Sequence, residues 1–418
     1  MINFFQKEKD CNRRLRKGFD SMEKPAIDGG TPVRNTKLFY GHQYIDEADI
    51  QAVEEVLRSD FLTCGPKIEE LEKKLCELTG ASYAVVCSNG TAALHIACQA
   101  AGVGEGDEVI TTPITFAASA NCALYCGARP VFADINEKTY NIDPACVEAC
   151  ITEHTKAVVA VDFTGQAVEL DRLTTLCREK GLVLIEDGAH SIGTGYNGKQ
   201  VGSIADMTTF SFHPVKTVTG GEGGAVLTNS REYYEKLLLY RSHGITRKQD
   251  LLKRESEGPW YYEQIALGMN YRMTDIQAAL IISQLNKLPV FQKRRKEIVQ
   301  KYNEAFAKIP EVTVQEEIPE SDTTRHLYIL RIKPEKLTIN RRQFFDAMSA
   351  ENICCNVHYI PVYRHPYYEE MGYEKGLCPK AEKLYEEIMS LPLYYSLTDR
   401  DVEDVIHAVK KIVEFYRK

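Results

Sequence analysis

Between residues 40 and 245 the chain alternates two kinds of apolar segment. In IDEADIQAVEEVLRSD the apolar residues recur near every 3.6 positions behind Asp46, an N-cap type. KIEELEKKLCELTG repeats that spacing and stops at Gly80, as a C-cap would. Both spacings predict helices. Between such segments lie short continuous apolar runs: YAVVC (83–87), EVITT (108–112), PVFADI (130–135), AVVAVDF (157–163), LVLIED (182–187), TTFSF (208–212) and GAVLTN (224–229). Strands that are apolar on both faces and alternate with helices predict an α/β domain with a largely parallel sheet covered on both sides. In such sheets a ligand lies outside the carboxyl ends of the strands, so SNG (88–90), TPITF (112–116), EDGAH (186–190) and SFHPVK (211–216) are expected to be neighbours. From about residue 310 the pattern changes. TRHLYILRIK and NVHYIPVY read as strands, and NRRQFFDAMSAE and TDRDVEDVIHAVKKIVEFYRK as helices, which predicts a smaller α+β domain.

A length of 418 residues exceeds what one core usually serves, and the pattern divides it into residues 23–300 and 301–418. Residues 1–22 carry six Lys or Arg and no apolar stretch of signal-peptide type. They read as a flexible arm, with Met22 as a candidate start. The composition, 44% hydrophobic and 26% charged, is that of a globular protein, and the net charge of −8 argues against a nucleic-acid partner. No apolar run is long enough to span a membrane, so a cytoplasmic protein is expected. The thirteen cysteines form no CxxC pair, and the i,i+4 pairs Cys122/Cys126 and Cys146/Cys150 read as core packing rather than metal ligands.

The candidate chemistry sits at the strand ends. LIEDGAH puts Asp187 at the end of a buried strand, where a carboxylate requires a cationic partner. The protonated ring nitrogen of pyridoxal phosphate is one such partner; magnesium or a ribose site is another. In FSFHPVKTVTGGEGG, Lys216 is either a surface-turn cation or an amine held near a phosphate and a carbonyl. The four glycines that follow favour the second reading, because they let backbone approach a ligand. An amine in a partly dry site loses basicity and can form a Schiff base. Ser211 is placed to offer its hydroxyl to the same phosphate, and His213 reads as structural. In SNGTAALHIA a turn at Gly90 opens a helix whose free N–H groups favour an anion. Taken alone, Phe116 reads better as a core aromatic than as a stacking ring, His190 holds the Asp187 carboxylate or caps a cofactor's face, and Asn270 is a loop amide.

In combination, SNGTAAL, GDEVITTPITFAASAN, EDGAHSIG, FSFHPVKTVTGGEGG, RSHGI and MNYRMTDIQAAL resemble the DegT-like nucleotide-sugar aminotransferases from about residue 38 onward. These are pyridoxal-phosphate enzymes of fold type I. The resemblance implies a Schiff base at Lys216, pairing of Asp187 with the pyridine nitrogen, a phosphate held by Gly90, Thr91 and Ser211, and Phe116 on the ring. It also implies His190 in the catalytic group and a homodimer in which Asn270 reaches the other subunit's cofactor. Within the family, FHPVKTVTGGEGG, SHGITR, GPWYYEQ and VHYIPVYRHPYY resemble the pseudaminic acid branch. That branch uses L-glutamate, released as 2-oxoglutarate, to aminate C4 of a UDP-linked 2-acetamido-2,6-dideoxy-4-hexulose. By the same resemblance Tyr40, Asp60, Phe61, Leu62, Thr63, His358 and Tyr359 line the sugar-nucleotide pocket. Gly220 and Cys64 depart from the pattern, where Thr and Gln are more usual. A bacillosamine- or perosamine-type 4-aminotransferase and a non-catalytic cofactor-binding sensor stay open as alternatives. A deoxysugar dehydratase of this family carries histidine at the lysine position, so Lys216 argues against one. The glutamate carboxylate is expected to meet a cation that the sequence does not identify.

Overall fold

The computed structural model describes residues 23–418; the arm expected over residues 1–22 lies outside the described residues. The two helices read first from the pattern form as α1 (Glu47–Leu57) and α2 (Pro66–Thr79). Asp46 caps α1 by accepting from Ala48 N and Asp49 N, and Asp49 returns a bond to Asp46 N. Gly80 ends α2 at φ 78°, a conformation that costs glycine little.

All seven apolar runs enter one sheet. They form β1 (Tyr83–Cys87), β2 (Glu108–Thr111), β3 (Arg129–Phe132), β4 (Thr155–Val161), β5 (Val183–Asp187), β6 (Met207–Ser211) and β7 (Gly224–Thr228). The order is β1-β7-β6-β5-β4-β2-β3. Only β7 runs antiparallel to its neighbours. Successive residues point to opposite faces, and both faces are buried. Val158, Leu184 and Leu227 face one core with Leu71 and Leu75 of α2, while Val159, Ile185 and Val226 face another with Ile96 of helix α3 (Gly90–Ala100). This double burial is why the strands read as continuous apolar runs.

A separate core lies on a three-stranded antiparallel sheet of β8 (Val312–Val314), β9 (Tyr328–Ile332) and β10 (Ile388–Leu391), in that order. The C-terminal helix, Asp399–Tyr416, buries Val402, Val405, Val409 and Ile412 against it, one stripe at helical spacing. The helix Leu288–Phe306 joins the two cores: Leu288 belongs to the first, and Ile298, Tyr302 and Phe306 to the second. Residue 300 therefore lies inside a continuous helix. The N-terminal stretch also joins the second core, through Leu38–Phe39 paired parallel to Ile353–Cys354. The buried carboxylate of Glu351 fixes that stretch by accepting from Ala26 N and Val33 N, both at 2.8 Å, while Lys411 neutralises it at 3.0 Å.

One strand expectation is corrected. NVHYIPVY is not a strand: Asn356 exchanges two backbone bonds with Ser390, and the chain then leaves the sheet as irregular backbone. Pro361 offers no N–H for a ladder, and His358 Nδ1 lies 2.7 Å from Ser390 Oγ, so a side chain holds this segment instead. Among the described residues, no helix is long and apolar enough to cross a membrane.

Candidate active site

The carboxyl ends of β1, β2, β4, β5 and β6 open on one cavity of about 830 Å³. Because β7 runs the opposite way, its first residue, Gly224, lies between Cys87 and Ser211 at the ends of β1 and β6. Backbone approaches closely there, since a Cβ on Gly224 would stand 2.3 Å from Asn89 O. Asn89 caps α3 by accepting from Ala92 N at 2.8 Å, and the helix starts beside Ser211. A Cβ on Gly90 would lie 2.9 Å from Ser211 Cβ, so only glycine lets the helix end meet the serine at this distance. The N–H groups of Gly90 and Thr91 are first-turn donors that the helix itself leaves free.

Asp187 ends β5 and is buried. Its Oδ2 accepts from Ser119 Oγ at 2.6 Å and its Oδ1 from Ala189 N at 3.1 Å. Burial raises its pKa, and the Ser119 bond, the Ala189 bond and the charge of Lys216 oppose that rise. Lys216 follows a turn closed by its own N–H to His213 O at 2.9 Å. Desolvation pushes its pKa down to about 8, against the pull of Asp187, so a usable share of free amine exists near neutral pH. No other Lys or Arg lines the cavity among the described residues. The cation expected for a glutamate carboxylate is therefore not found on this chain's cavity wall.

The second core supplies the facing wall. Tyr40, His358 and Tyr359 line it, with the Tyr40 and His358 rings 5.3 Å apart. Burial, and then the charge of Lys216, lower the pKa of His358 to about 4, which keeps that ring neutral. Tyr359 reaches His190, hydroxyl to Nε2 at 3.3 Å, and its ring is 6.4 Å from that of Phe116, which is 63% exposed on the cavity side. Gly90, Thr91, Phe116, Asp187, His190, Ser211, Lys216, Tyr40, His358 and Tyr359 thus converge on one cavity.

Asp60, Phe61, Leu62, Thr63 and Asn270 do not line this cavity within one chain. The first four lie on the exposed turn between α1 and α2, where Thr63 bridges to Thr274; Asn270 is exposed and bridges to Ser242. Ser119, which the sequence reading passed over, is the closest side-chain partner of Asp187. Its Oγ also meets Thr115 Oγ1 at 2.7 Å, from the loop ahead of the helix Ala118–Tyr125 that carries Ser119. The departure at Gly220 has a packing cause: a Cβ there would lie 2.7 Å from Ile281 Cδ1.

These residues fit a phosphopyridine. A phosphate matches the α3 N-terminus and Ser211, and a pyridinium matches the buried carboxylate of Asp187. His190 Nδ1 is buried without a protein partner among the described residues. Together with the sheet order, this defines the class: a fold type I pyridoxal-phosphate transferase. The chain belongs to the DegT/DnrJ/EryC1/StrS aminotransferase family, whose profile matches residues 43–410, and it is a sugar aminotransferase dependent on pyridoxal phosphate. It is 42% identical to the spore coat polysaccharide biosynthesis protein SpsC of Bacillus subtilis, over 91% of this chain and 98% of that one. It is 37% identical to the UDP-4-amino-4,6-dideoxy-N-acetyl-beta-L-altrosamine transaminase of Campylobacter jejuni, over 91% and 99%. Its fold superposes on Helicobacter pylori PseC, an aminotransferase involved in the biosynthesis of pseudoaminic acid, with a TM-score of 0.85 at 34% identity, over 91% and 100%. Similar solved structures include forms carrying pyridoxal phosphate and pyridoxamine phosphate.

Proposed function

We propose that this enzyme moves the amino group of L-glutamate to C4 of UDP-2-acetamido-2,6-dideoxy-β-L-arabino-hex-4-ulose, a step of pseudaminic acid biosynthesis. The observation that carries the transfer chemistry is Lys216, a desolvated amine facing Asp187 across the cavity. The sugar assignment is supported by the C. jejuni relative, matched over nearly its whole length.

Bound pyridoxal phosphate supplies the carbonyl that carries the amino group and a ring that withdraws electrons. Lys216 Nζ would hold that carbonyl until the donor's amine displaces it, and the freed amine would take a proton from the donor's Cα and, in the return half of the cycle, deliver one to C4 of the sugar. Asp187 would hold a proton at the ring nitrogen, its carboxylate oriented by Ser119. Gly90 N, Thr91 N and Ser211 Oγ would hold the phosphate, and Phe116 would lie against the ring. Tyr40, His358 and Tyr359 orient the sugar from the second core. In a homodimer, Asn270 and the turn Asp60–Thr63 complete the cavity of a second subunit.

The test is amination by the purified protein with L-glutamate across a panel of UDP- and GDP-linked 4-keto sugars, with the product's C4 configuration read by NMR. The UDP-L-arabino-hexulose is expected to be the best substrate. Exclusive turnover of a D-xylo or GDP-linked ketone would replace this reading with the bacillosamine- or perosamine-type alternative.

A further inference from the structure

Behind the cavity, on the side of His190, lies a joint of left-handed backbone that the transfer chemistry above does not use. The chain leaves β4 through Phe163–Gly165, where Thr164 has φ 65° and Gly165 φ 98°; opposite them Arg325 has φ 61°. Positive φ is uncommon for any residue with a side chain and a real outlier for a β-branched one, so it persists only where the surroundings impose it. Here Thr164 O accepts from His326 N at 2.8 Å and from Leu327 N at 3.2 Å, and Thr324 N donates to Thr194 Oγ1 at 2.9 Å. A Cβ on Gly165 would come within 2.8 Å of both His190 O and Thr324 Cγ2. From the other side Arg295, buried on the joining helix, donates Nη1 to the carbonyls of Arg325, His326 and Leu393 at 3.0–3.3 Å.

What this joint holds is His326. Its buried ring lies 4.5 Å from that of His190, and His190 Nε2 meets the Tyr359 hydroxyl that lines the cavity. Phe163, from the same joint, packs 6.4 Å from His190 and 6.3 Å from Tyr359, centroid to centroid. Among the described residues Nδ1 of both histidines has no protein partner, so packing rather than hydrogen bonding fixes the His190–His326 contact. Burial above all keeps both imidazoles neutral; the charge of Lys216 comes next for His190, and the neighbouring His190, then Lys216 and Arg295, for His326. An ordinary core would place an aliphatic side chain here. We propose that His326 is a positioning residue for amino transfer: clamped by the joint between the two cores, it braces His190, which sets the Tyr359 hydroxyl at the cavity wall.

The test is a double-mutant cycle of His326→Ala and Tyr359→Phe in the full-length holoenzyme. Three readouts are taken: the rate of the L-glutamate half-reaction by visible absorbance, the affinity of the apo protein for pyridoxal phosphate by fluorescence quenching, and the unfolding midpoint. Each single change is expected to slow the half-reaction about tenfold, the scale of one lost hydrogen bond. The double variant is expected to fall within about twofold of Tyr359→Phe alone, because both act through one hydroxyl. His326→Gln enters the same cycle and keeps the comparison available if the alanine variant does not fold. Losses that multiply to roughly a hundredfold overturn the proposal, as does a His326 variant that lowers the midpoint and leaves the rate unchanged. The cycle rests on glutamate as donor and is independent of the sugar. Absence of the half-reaction in the unchanged protein would reject the donor alone, and non-additivity is then read on cofactor affinity, where additive effects overturn the proposal equally.

Discussion

Gly90, Asp187, Ser211 and Lys216 all stand within five residues of a strand end, whereas Tyr40, His358 and Tyr359 reach the same cavity from irregular backbone on the second core. The first wall is set by strand register. Asp187 lies opposite Val161 and Thr209, and Gly224 opposite Cys87 and Ser211, so the sheet that buries the apolar side chains also aligns the polar ends. The second wall is set by side chains such as Ser390, which meets His358, and by the clamp around residues 325 and 326. A wall carried by backbone pairing suits chemistry common to many substrates, and one carried by side chains can be rebuilt for each sugar without disturbing the sheet.

Changes on the two walls should therefore separate, Tyr359 apart, because its hydroxyl reaches His190 of the first wall. Lys216→Ala is expected to have the largest effect, a loss of at least about 10⁴-fold in transfer. Borohydride reduction followed by peptide mapping should place the pyridoxyl group on Lys216 in the unchanged protein, and an adduct elsewhere would move the chemistry off this wall. Next comes Asp187→Asn, at roughly a hundredfold in turnover, the scale of a lost charged hydrogen bond. Its unfolding midpoint should hold or rise, because burial penalises the charge that is removed. On the facing wall, His358→Gln should raise KM for the sugar about tenfold and leave the glutamate half-reaction nearly unchanged. Equal losses in both half-reactions would erase the distinction between the walls.

The smallest effect is expected beneath the first wall. Asp162 and Glu186 are buried next to one another, with Asp162 Oδ2 on Ser191 Oγ at 2.5 Å and Glu186 Oε2 on Thr208 Oγ1 at 2.8 Å. Burial raises both carboxyl groups and their mutual repulsion adds to it for Asp162; Glu186 rises from 4.5 to about 7. The folded protein thus holds a proton that the unfolded chain releases. The associated stability is fully present below about pH 4.5 and is lost as pH rises through about 7. Glu186→Gln should flatten this decline and raise the midpoint at pH 8 by on the order of 2 °C; a decline as steep as in the unchanged protein would remove Glu186 as its source.

The contrast between the walls also governs what could be read from the sequence. Continuous apolar runs identify all seven strands of the main sheet, and the strand-end rule alone brings Asp187, Ser211 and Lys216 together. Ser119 escaped because a serine among alanines on a helix carries no signal until its Oγ is seen on Asp187. His326 and Arg295 escaped for another reason: their partners are a ring and backbone carbonyls contributed by distant segments. NVHYIPVY has the apolar content of a strand, yet it pairs with the sheet only at Asn356, and beyond that point its proline and the His358 contact with the Ser390 side chain replace a ladder. The residues expected from the family likeness alone, Asp60 to Thr63 and Asn270, lie on exposed backbone away from the cavity of one chain.

The pairing of Leu38 with Ile353 has a consequence for biosynthesis. The second core takes one edge from near the start of the chain and the rest from its end, so it cannot close while the ribosome still holds the C-terminal helix. The seven-stranded sheet has no such dependence and can condense first, with its ligand-facing ends uncovered. A nascent chain arrested near residue 310 would then be expected to bury the sheet's core, leaving Leu38 as an unmatched edge exposed to chaperones.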